Sequence, residues 1–422
     1  MPGAAPSRGP IARGALSQLR ALTRDQRHTL LACLLGWALD AFDFFILVFA
    51  VKAIARDFQV EVASVTVAIT CTLALRPVGA LLFGWAADRF GRRPTLMVNI
   101  VAYSLLELAS AGAPSLATLI VLRGLYGIAM GGEWGVGAAL ALESAPVEAR
   151  GLISGILQQG YALGYLLAAL LFGLFFALVG WRGMFVVGAL PALLVLYIRA
   201  NVPESPAWQR DGVPRGELLR ALRRNFPRFA YMVVLMAAFN LFSHGTQDLY
   251  PTFLQVQRGL TPRDAGAVAV TYNVGAIIGG MTFGALSERI GRRPAILLAA
   301  ILALPMIPVW VLGSSTLALA GAAFGLQLMV QGAWGVVPAH LNELSPGSVR
   351  GTFPGLAYQL GNLMAAGTAT LQAHVAATHG GNYALALGGM TAAVAIVLAL
   401  TAWLGPEARG GRFHPATSPA ST

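Results

Sequence analysis

Asp40, Asp43, Arg76, Arg123, Glu133 and His244 all stand inside apolar runs of the sequence. A charge at bilayer depth costs about 3 kcal/mol on insertion scales, so each needs a chemical reason to be there. Arg76 lies twelve residues before Asp88, where its apolar run ends. That places it roughly 18 Å in, near the middle of a hydrocarbon core of about 30 Å. A guanidinium at that depth can bind a substrate carboxylate through paired donors, or be held in an ion pair with Asp40 or Asp43. Asp40 and Asp43 are three apart and share adjoining parts of one helix face. Two close carboxylates cannot both ionise cheaply in low dielectric, so at least one keeps its proton. That suits proton coupling; a fixed partnership with Arg76 is the other reading.

Asn240, His244, Gln247 and Pro251 follow i, i+4, i+7, i+11 and form one polar helix face. Asp248 is one turn beyond His244 and can hold its imidazole. Asn240, His244 and Gln247 are therefore expected to bind substrate, and His244 or Asp248 to carry a proton. Gln158, Gln159 and Tyr161 in one apolar run, and Gln359 and Asn362 in another, offer donors to a carboxylate, or to interhelical hydrogen bonds. Arg123 and Glu133 are expected to be structural or coupling residues. No motif takes Glu107, His340 or His374 beyond a structural role.

The elements that position these groups follow from composition. The chain has 422 residues, 56% apolar and only 11% charged. A soluble domain carries about 25% charged residues. Most of the chain therefore faces lipid or other apolar helices, which agrees with a mean hydropathy of +0.67. The net charge of +11 comes from arginines in short clusters between apolar runs, not from a stripe on a soluble face, so nucleic acid is not an expected partner. Cys33 and Cys71 both lie in apolar runs, with no disulfide framework and no metal-ligand spacing. No cleavable leader, phosphate-binding loop or nucleophile–base set is evident, so neither a cofactor nor an enzymatic activity is expected.

Apolar runs of about 20 residues fall near 29–52, 62–86, 95–112, 115–141, 151–178, 183–200, 229–254, 264–287, 295–313, 315–338, 352–377 and 383–404. They divide the chain into a tail 1–28, a six-helix unit 29–200, a polar linker 201–228, a second six-helix unit 229–404 and a tail 405–422. With the N-terminus inside, 22 arginines fall on the cytoplasmic side, against Lys52, Arg56, Arg182, Arg258 and Arg263 on the other. The positive-inside rule then places both termini in the cytoplasm of a plasma (bacterial inner) membrane. The halves are a repeat at an offset of 200. Asp88-Arg-Phe-Gly-Arg-Arg-Pro94 recurs as Glu288-Arg-Ile-Gly-Arg-Arg-Pro294, and Gly132-Glu-Trp-Gly-Val136 as Gly332-Ala-Trp-Gly-Val336. Glu143 pairs with Glu343, Arg150 with Arg350, Gln159 with Gln359, Asp40 with Asn240 and Asp43 with Ser243. Equivalent depths in a duplicated carrier converge on one central cavity.

Gly84-Trp-Ala-Ala-Asp-Arg-Phe-Gly-Arg-Arg93 resembles the loop between helices 2 and 3 of the major facilitator superfamily. Arg123-Gly-Leu-Tyr-Gly127 resembles its helix-4 motif, and Pro203-Glu-Ser-Pro206 the segment after helix 6. The resemblance implies an all-α membrane fold of twelve transmembrane helices, in two six-helix bundles with pseudo-two-fold symmetry. Asn240-Leu-Phe-Ser-His-Gly-Thr-Gln-Asp-Leu-Tyr-Pro-Thr252 is similar to the helix-7 motif of the Jen-type monocarboxylate permeases, and Arg76-Pro-Val-Gly79 to their helix 2. The wider group includes sialate–proton symporters. Asp40-Ala-Phe-Asp43 is similar to the acidic pair of aromatic-acid carriers, except that Ala41 stands where those usually have glycine.

The expected function is proton-coupled symport of a small monocarboxylate, lactate or pyruvate foremost, with a small organic anion, a proton and the lipid bilayer as partners and no obligatory protein partner. A larger acid such as sialate or an aromatic acid is the nearest alternative. A proton–drug antiporter lacks support because residues 151–160 carry no proline. A non-transporting sensor would need a long signalling domain. Asp88, Arg89, Arg92 and Arg93, with Glu288, Arg289, Arg292 and Arg293, are expected to form an inner gate by pairing across the bundles or facing helix N-termini. Small-residue runs such as Gly131-Gly132 and Gly135 with Ala138 permit the close helix approach that gating requires.

Overall fold

The twelve apolar runs become helical crossings in the computed structural model, which describes residues 15–211 and 217–410. Residues 1–14 and 411–422 of the tails, and Arg215 with its neighbours in the linker, lie outside the described residues. In chain order the crossings are α1 (Arg24–Asp57), α2 (Val62–Phe90), α3 (Arg92–Ala111), α4 (Leu116–Ser144), α5 (150–179) and α6 (181–201). The second half holds α7 (Phe226–Val256), α8 (Pro262–Ile290), α9 (Arg292–Leu312), α10 (Thr316–Leu344), α11 (353–378) and α12 (Tyr383–Leu404). α5 and α6 run on without an intervening loop and part at Gly180, where φ is 63°. α6 is interrupted again at 188–191, α9 at 304–305 and α11 at 366–367.

Local chemistry sets the ends. Thr23 and Gln26 cap α1 reciprocally, side chain to backbone, at 3.2 and 3.0 Å. Ser115 and Ser315, 200 apart, each accept a backbone N–H at 3.2 Å and start α4 and α10. Gly91 and Gly291 make the turns into α3 and α9 at φ 110°, ψ 154° and φ 103°, ψ 160°. Only glycine occupies that region readily, which gives the repeated Gly-Arg-Arg its first letter.

The repeat governs packing. α2 lies along α4 as α8 lies along α10, and α1 along α5 as α7 along α11. Each half thus closes into a six-helix bundle. Large apolar side chains such as Leu105, Leu178, Leu193 and Leu317 are exposed around the outside, where lipid covers them. The linker is not all loop. It contains short helices Pro206–Asp211 and Glu217–Arg224. Ser205 accepts the Trp208 N–H at 3.2 Å, and the Trp208 indole donates to the Asp88 carbonyl at 2.8 Å, fastening the first of these under the N-terminal bundle.

A methyl at Gly91 would fall 2.3 Å from Glu204 Oε2, and one at Gly291 2.8 Å from Glu407 Oε2. Gly91→Ala and Gly291→Ala are each expected to destabilise the detergent-purified protein by about 1–3 kcal/mol, seen as a lower thermal midpoint. An unchanged midpoint in both would contradict this account of the turns.

Candidate functional site

The two bundles meet mainly at the face that carries both termini. Residues 150–158 of α5 pack on α8 and α10, and the start of α11 packs on α2 and α4. The backbones nearly touch. A methyl at Gly155 would lie 2.5 Å from the Gly280 carbonyl oxygen, and one at Gly135 2.8 Å from Gly355 Cα. Two acidic side chains cross this junction. Asp88 accepts from Gly351 N at 2.7 Å, Thr352 N at 3.0 Å and Thr352 Oγ1 at 2.6 Å, against the start of α11. Its counterpart Glu288 accepts from Gly151 N near the start of α5. Carboxylates at helix N-termini are stabilised by the unsatisfied N–H groups there.

Behind them stand two buried arginines. Arg92 binds Asp88 at 2.9 Å and Glu143 with two N–H groups at 3.2 Å each. Arg292 binds Glu288 at 2.8 Å and Glu343 twice at 2.9 Å. Glu143 also accepts from Arg350 of the other half at 3.5 Å and from Ser205 of the linker. The neighbouring arginines do not reach the junction. Arg93 donates to the Arg199 carbonyl at 2.6 Å and Arg293 to that of Ala402 at 2.8 Å, each closing the C-terminus of the last helix of its own bundle. Arg89 lies over Trp85 and Phe90 on the outer surface, and the Arg289 carbonyl accepts from Arg409. Of the eight residues expected at the gate, Asp88, Arg92, Glu288 and Arg292 lie at the junction between the bundles.

Glu204 and Glu407 complete the pattern. Glu204 takes the Arg92 N–H at 3.0 Å, and Glu407 those of Arg292 at 3.2 Å and Arg293 at 2.9 Å. Burial pushes Glu204 above the usual carboxylate range against the pull of those N–H groups. Burial acts the same way on Glu407, but N–H groups of Arg293 and Arg409 outweigh it and hold that carboxyl low.

Mid-depth chemistry is concentrated in the N-terminal bundle. Arg76 is 4% exposed, and its Nε and Nη2 have no hydrogen-bond partner among the described residues. Its charge acts on Asp40 and Glu133 of its own bundle and on Tyr358 and His244 of the other. Asp40, Asp43 and Glu133 are fully buried, and their carboxylate oxygens have no hydrogen-bond partner among the described residues. No ion pair within 4 Å joins Arg76 to either aspartate among the described residues. Arg123, also fully buried, is paired with Glu107 and lies 3.8 Å from the Tyr126 ring centroid. Glu107 thus belongs to the charged interior. Sequence reasoning left it with a structural role, which its pairing with Arg123 fits.

The C-terminal bundle answers with neutral groups. His244 holds Asp248 at 3.2 Å, and their side chains keep 39% and 35% exposure. Asn362 of α11 also bonds His244. Gln247 donates to Gln327 at 3.0 Å, and Asn240 to the Met236 carbonyl at 2.8 Å, so one N–H of each amide is engaged within the C-terminal bundle. Gln159 donates to the Gly155 carbonyl at 3.0 Å and sits at the junction, while Gln158 accepts from Trp134 at 3.4 Å. Gln359 is buried with both amide atoms unpartnered among the described residues. Tyr161 stands beside Trp37 and Phe45, with ring centroids at 5.8 and 5.3 Å. Trp134 and Trp334 flank Tyr358 from the two bundles, at 4.7 and 5.7 Å. This aromatic set was legible only as the repeated Gly-x-Trp-Gly.

Residues 33–266 match the family model described as Major Facilitator Superfamily, and residues 227–409 that described as Sugar (and other) transporter. The chain is 30% identical over 389 residues to the carboxylic acid transporter protein homolog of Saccharomyces cerevisiae, covering 86% of this chain and 63% of that protein. It is 30% identical to the sialic acid transporter NanX of Escherichia coli, covering 80% and 84%. It is 32% identical to a probable 4-methylmuconolactone transporter of Cupriavidus pinatubonensis, covering 81% and 82%. In structure it superposes on the proton:xylose symporter XylE at a TM-score of 0.73 and 18% identity, over 92% of this chain and 97% of that one, which speaks to the fold alone.

Removing the tie at Asp88 is expected to loosen the junction. In a background lacking Cys33 and Cys71, a Ser154→Cys thiol lies in the closed interface, where Ser154 accepts the Ala339 N–H at 3.0 Å. Adding Asp88→Ala removes charge-assisted bonds of about 1.5–3 kcal/mol each, so labelling from the termini face by a membrane-impermeant maleimide is expected to rise roughly tenfold or more. Equal labelling with and without Asp88→Ala would show that this tie does not hold the junction.

Proposed function

The chain belongs to the major facilitator superfamily, and from that premise we propose that it carries an organic monocarboxylate through the membrane together with a proton, with lactate or pyruvate as the first candidates. The observation that carries this reading is Arg76, buried at mid-depth with two unpartnered N–H groups and its field reaching both bundles. A guanidinium so placed lowers the cost of a carboxylate more than that of any neutral solute. The curated relatives named for a carboxylic acid and for sialic acid support the same class of cargo.

In this reading the arginine bias makes the termini face cytoplasmic, so the conformation described is outward-facing. The anion enters past His244 and Asp248 and docks on Arg76, with Tyr161, Gln359 and Asn362 available to its other polar groups. Asp40, at the docking level beside Arg76, takes the proton that keeps the loaded site neutral. Rocking then closes the outer recess and parts Asp88 from Thr352 and Glu288 from Gly151. These two contacts are the inner gate. A larger acid is the second reading, favoured by Trp134, Tyr358 and Trp334, whose rings offer an apolar wall beyond the reach of a three-carbon anion.

Proteoliposomes given labelled lactate or pyruvate test both readings. An anion and a proton crossing together are electroneutral, so an imposed pH gradient, acid outside, is expected to drive accumulation, while a membrane potential alone drives little. Competition by sialate or an aromatic acid stronger than by lactate selects the larger cargo. Arg76→Lys is expected to cut uptake at least tenfold, because an ammonium cannot supply the paired fork. Normal uptake by a folded Arg76→Lys protein would remove Arg76 from the site.

A further inference from the structure

The termini face of the C-terminal bundle carries an open recess of about 710 Å³, lined by Ile290, Arg293, Leu297, Trp403, Glu407 and Arg409. It lies where the turn from α8 into α9 meets the end of α12. Arg293 spends Nε and Nη2 on the carbonyls of Ala402 and Trp403, which leaves Nη1 for another acceptor. Arg409 gives one N–H of Nη1 to the Arg289 carbonyl at 2.7 Å, and the rest of its fork is unengaged among the described residues. Arg289 itself is exposed. Glu407 is the acid of the lining, and both its oxygens are taken up: Oε1 by backbone N–H groups of Arg292, Ala408 and Arg409, Oε2 by that of Arg293. Arg289, Arg293 and Arg409 against Glu407 leave a surplus of two positive charges.

α9 and α12 are membrane crossings, so their ends at this face stand at the level of the lipid headgroups. Trp403 and Leu404 are exposed there, an indole at the boundary and a hydrocarbon beside it. One turn deeper, Ile301 follows Leu297 on α9 and Leu400 precedes Leu404 on α12, both exposed to lipid. The recess is thus cationic toward water and apolar toward the bilayer. A soluble anion has no use for the apolar wall, whereas a phospholipid meets both. In the N-terminal half the chain after Glu204 turns back as the helix Pro206–Asp211, and the Trp208 indole donates to the Asp88 carbonyl at 2.8 Å. After Glu407 the chain instead brings Arg409 to the Arg289 carbonyl, a cation where the other half places an indole.

We propose that this recess binds the headgroup of one anionic phospholipid from the leaflet at the termini face, with Arg293 and Arg409 taking the phosphate and Leu297 and Trp403 meeting the start of the acyl chains. The two arginines belong to separate segments, the start of α9 and the chain after α12, which Glu407 already joins through backbone N–H groups. A phosphate between their side chains joins the same segments a second time. A zwitterionic lipid carries an ammonium that offsets its phosphate, so it gains less from the surplus of positive charge. The site is independent of the cargo and of the proton.

Native mass spectrometry of the full chain in detergent reads this without any cargo. The protein is titrated with phosphatidylglycerol or with phosphatidylcholine of the same acyl chains. The wild type is expected to hold one phosphatidylglycerol at least about tenfold more tightly than phosphatidylcholine. Arg289→Gln combined with Arg409→Gln is expected to weaken phosphatidylglycerol by about tenfold or more and to leave phosphatidylcholine unchanged. Should the double variant be unstable, Arg409→Glu, at an exposed position beyond α12, is expected to give the same loss. Arg89→Gln, the counterpart of Arg289 in the other half, is expected to leave binding as it was. Equal retention by the wild type and the recess variants, or an equal loss in Arg89→Gln, overturns the site in favour of unspecific attraction to a basic face. Glycerol 3-phosphate, the phosphate without the chains, is expected to compete only at roughly a hundredfold higher concentration. Competition at equal concentration makes this a site for a soluble anion and sinks the lipid. A chain ending at Gly410 is expected to bind like the full chain. Binding that appears only after that truncation makes the tail the occupant and overturns the proposal.

Discussion

A carboxylate surrounded by hydrocarbon must meet a guanidinium or keep a proton, and this constraint organises the interior. Six ionisable side chains, Asp40, Asp43, Arg76, Glu107, Arg123 and Glu133, are buried in the N-terminal bundle. Four acids against two arginines leave room for two protons. Glu107 at its arginine, the thinning of α6 at Gly188 and the face of Tyr126 under Arg123 all place cation and acid where they can neutralise each other. Arg123 is paired with Glu107, whereas Arg76 makes no ion pair within 4 Å among the described residues, which in the proposed reading leaves it the better placed of the two for a visiting anion.

At the water boundary the same groups obey a gentler rule. Asp88 is satisfied by two backbone N–H groups at the start of α11, a threonine hydroxyl and Arg92, all at once. The acceptor is on one bundle and three of its four donors are on the other, so separation exposes a carboxylate to water rather than to lipid. That asymmetry permits a tie strong enough to hold a junction yet cheap enough to open. Arg93 and Arg293 show the complementary use. They cap helix C-termini inside one bundle, which keeps each bundle rigid while the junction between them changes.

The sequence makes some of this legible and hides the rest for physical reasons. Twelve crossings and a duplicated fold follow from apolar length and the offset of 200, because hydrocarbon thickness fixes helix length. The breaks within α6, α9 and α11 do not, since the apolar composition runs on across them while only the backbone changes. The Gly180 corner is the exception, since it falls between the apolar runs 151–178 and 183–200. Arg92 and Arg93 are adjacent and chemically identical, yet one faces the junction and the other the end of α6. Helical phase decides between them, and the motif gives both the same weight. Glu107 drew no more than a structural reading because position 307 is isoleucine, so the repeat that flagged Glu143 and Arg150 was silent there.

That silence has a pattern. Residues at the bundle junction survive in both halves: Asp88 and Glu288, Arg92 and Arg292, Glu143 and Glu343, Arg150 and Arg350. The interior charges do not. Positions 200 beyond Asp40, Asp43, Arg76, Glu107, Arg123 and Glu133 are Asn240, Ser243, Ala276, Ile307, Ala323 and Ala333. Each of these charges has an amide, a hydroxyl or a hydrocarbon at the equivalent position of the other half, where Gln247, Gln327 and Thr246 form a neutral chain of hydrogen bonds. A junction that must part about a pseudo-two-fold axis profits from matched ties on both sides, since unequal ties would leave one side holding while the other yields. Proton handling, in the function proposed, has no such need. A single cluster can change charge state without a second cluster competing for the same protons, and a neutral partner bundle can approach it in either state without a penalty that depends on pH. Duplication therefore explains the mechanical frame, and the loss of symmetry inside it explains where the chemistry resides.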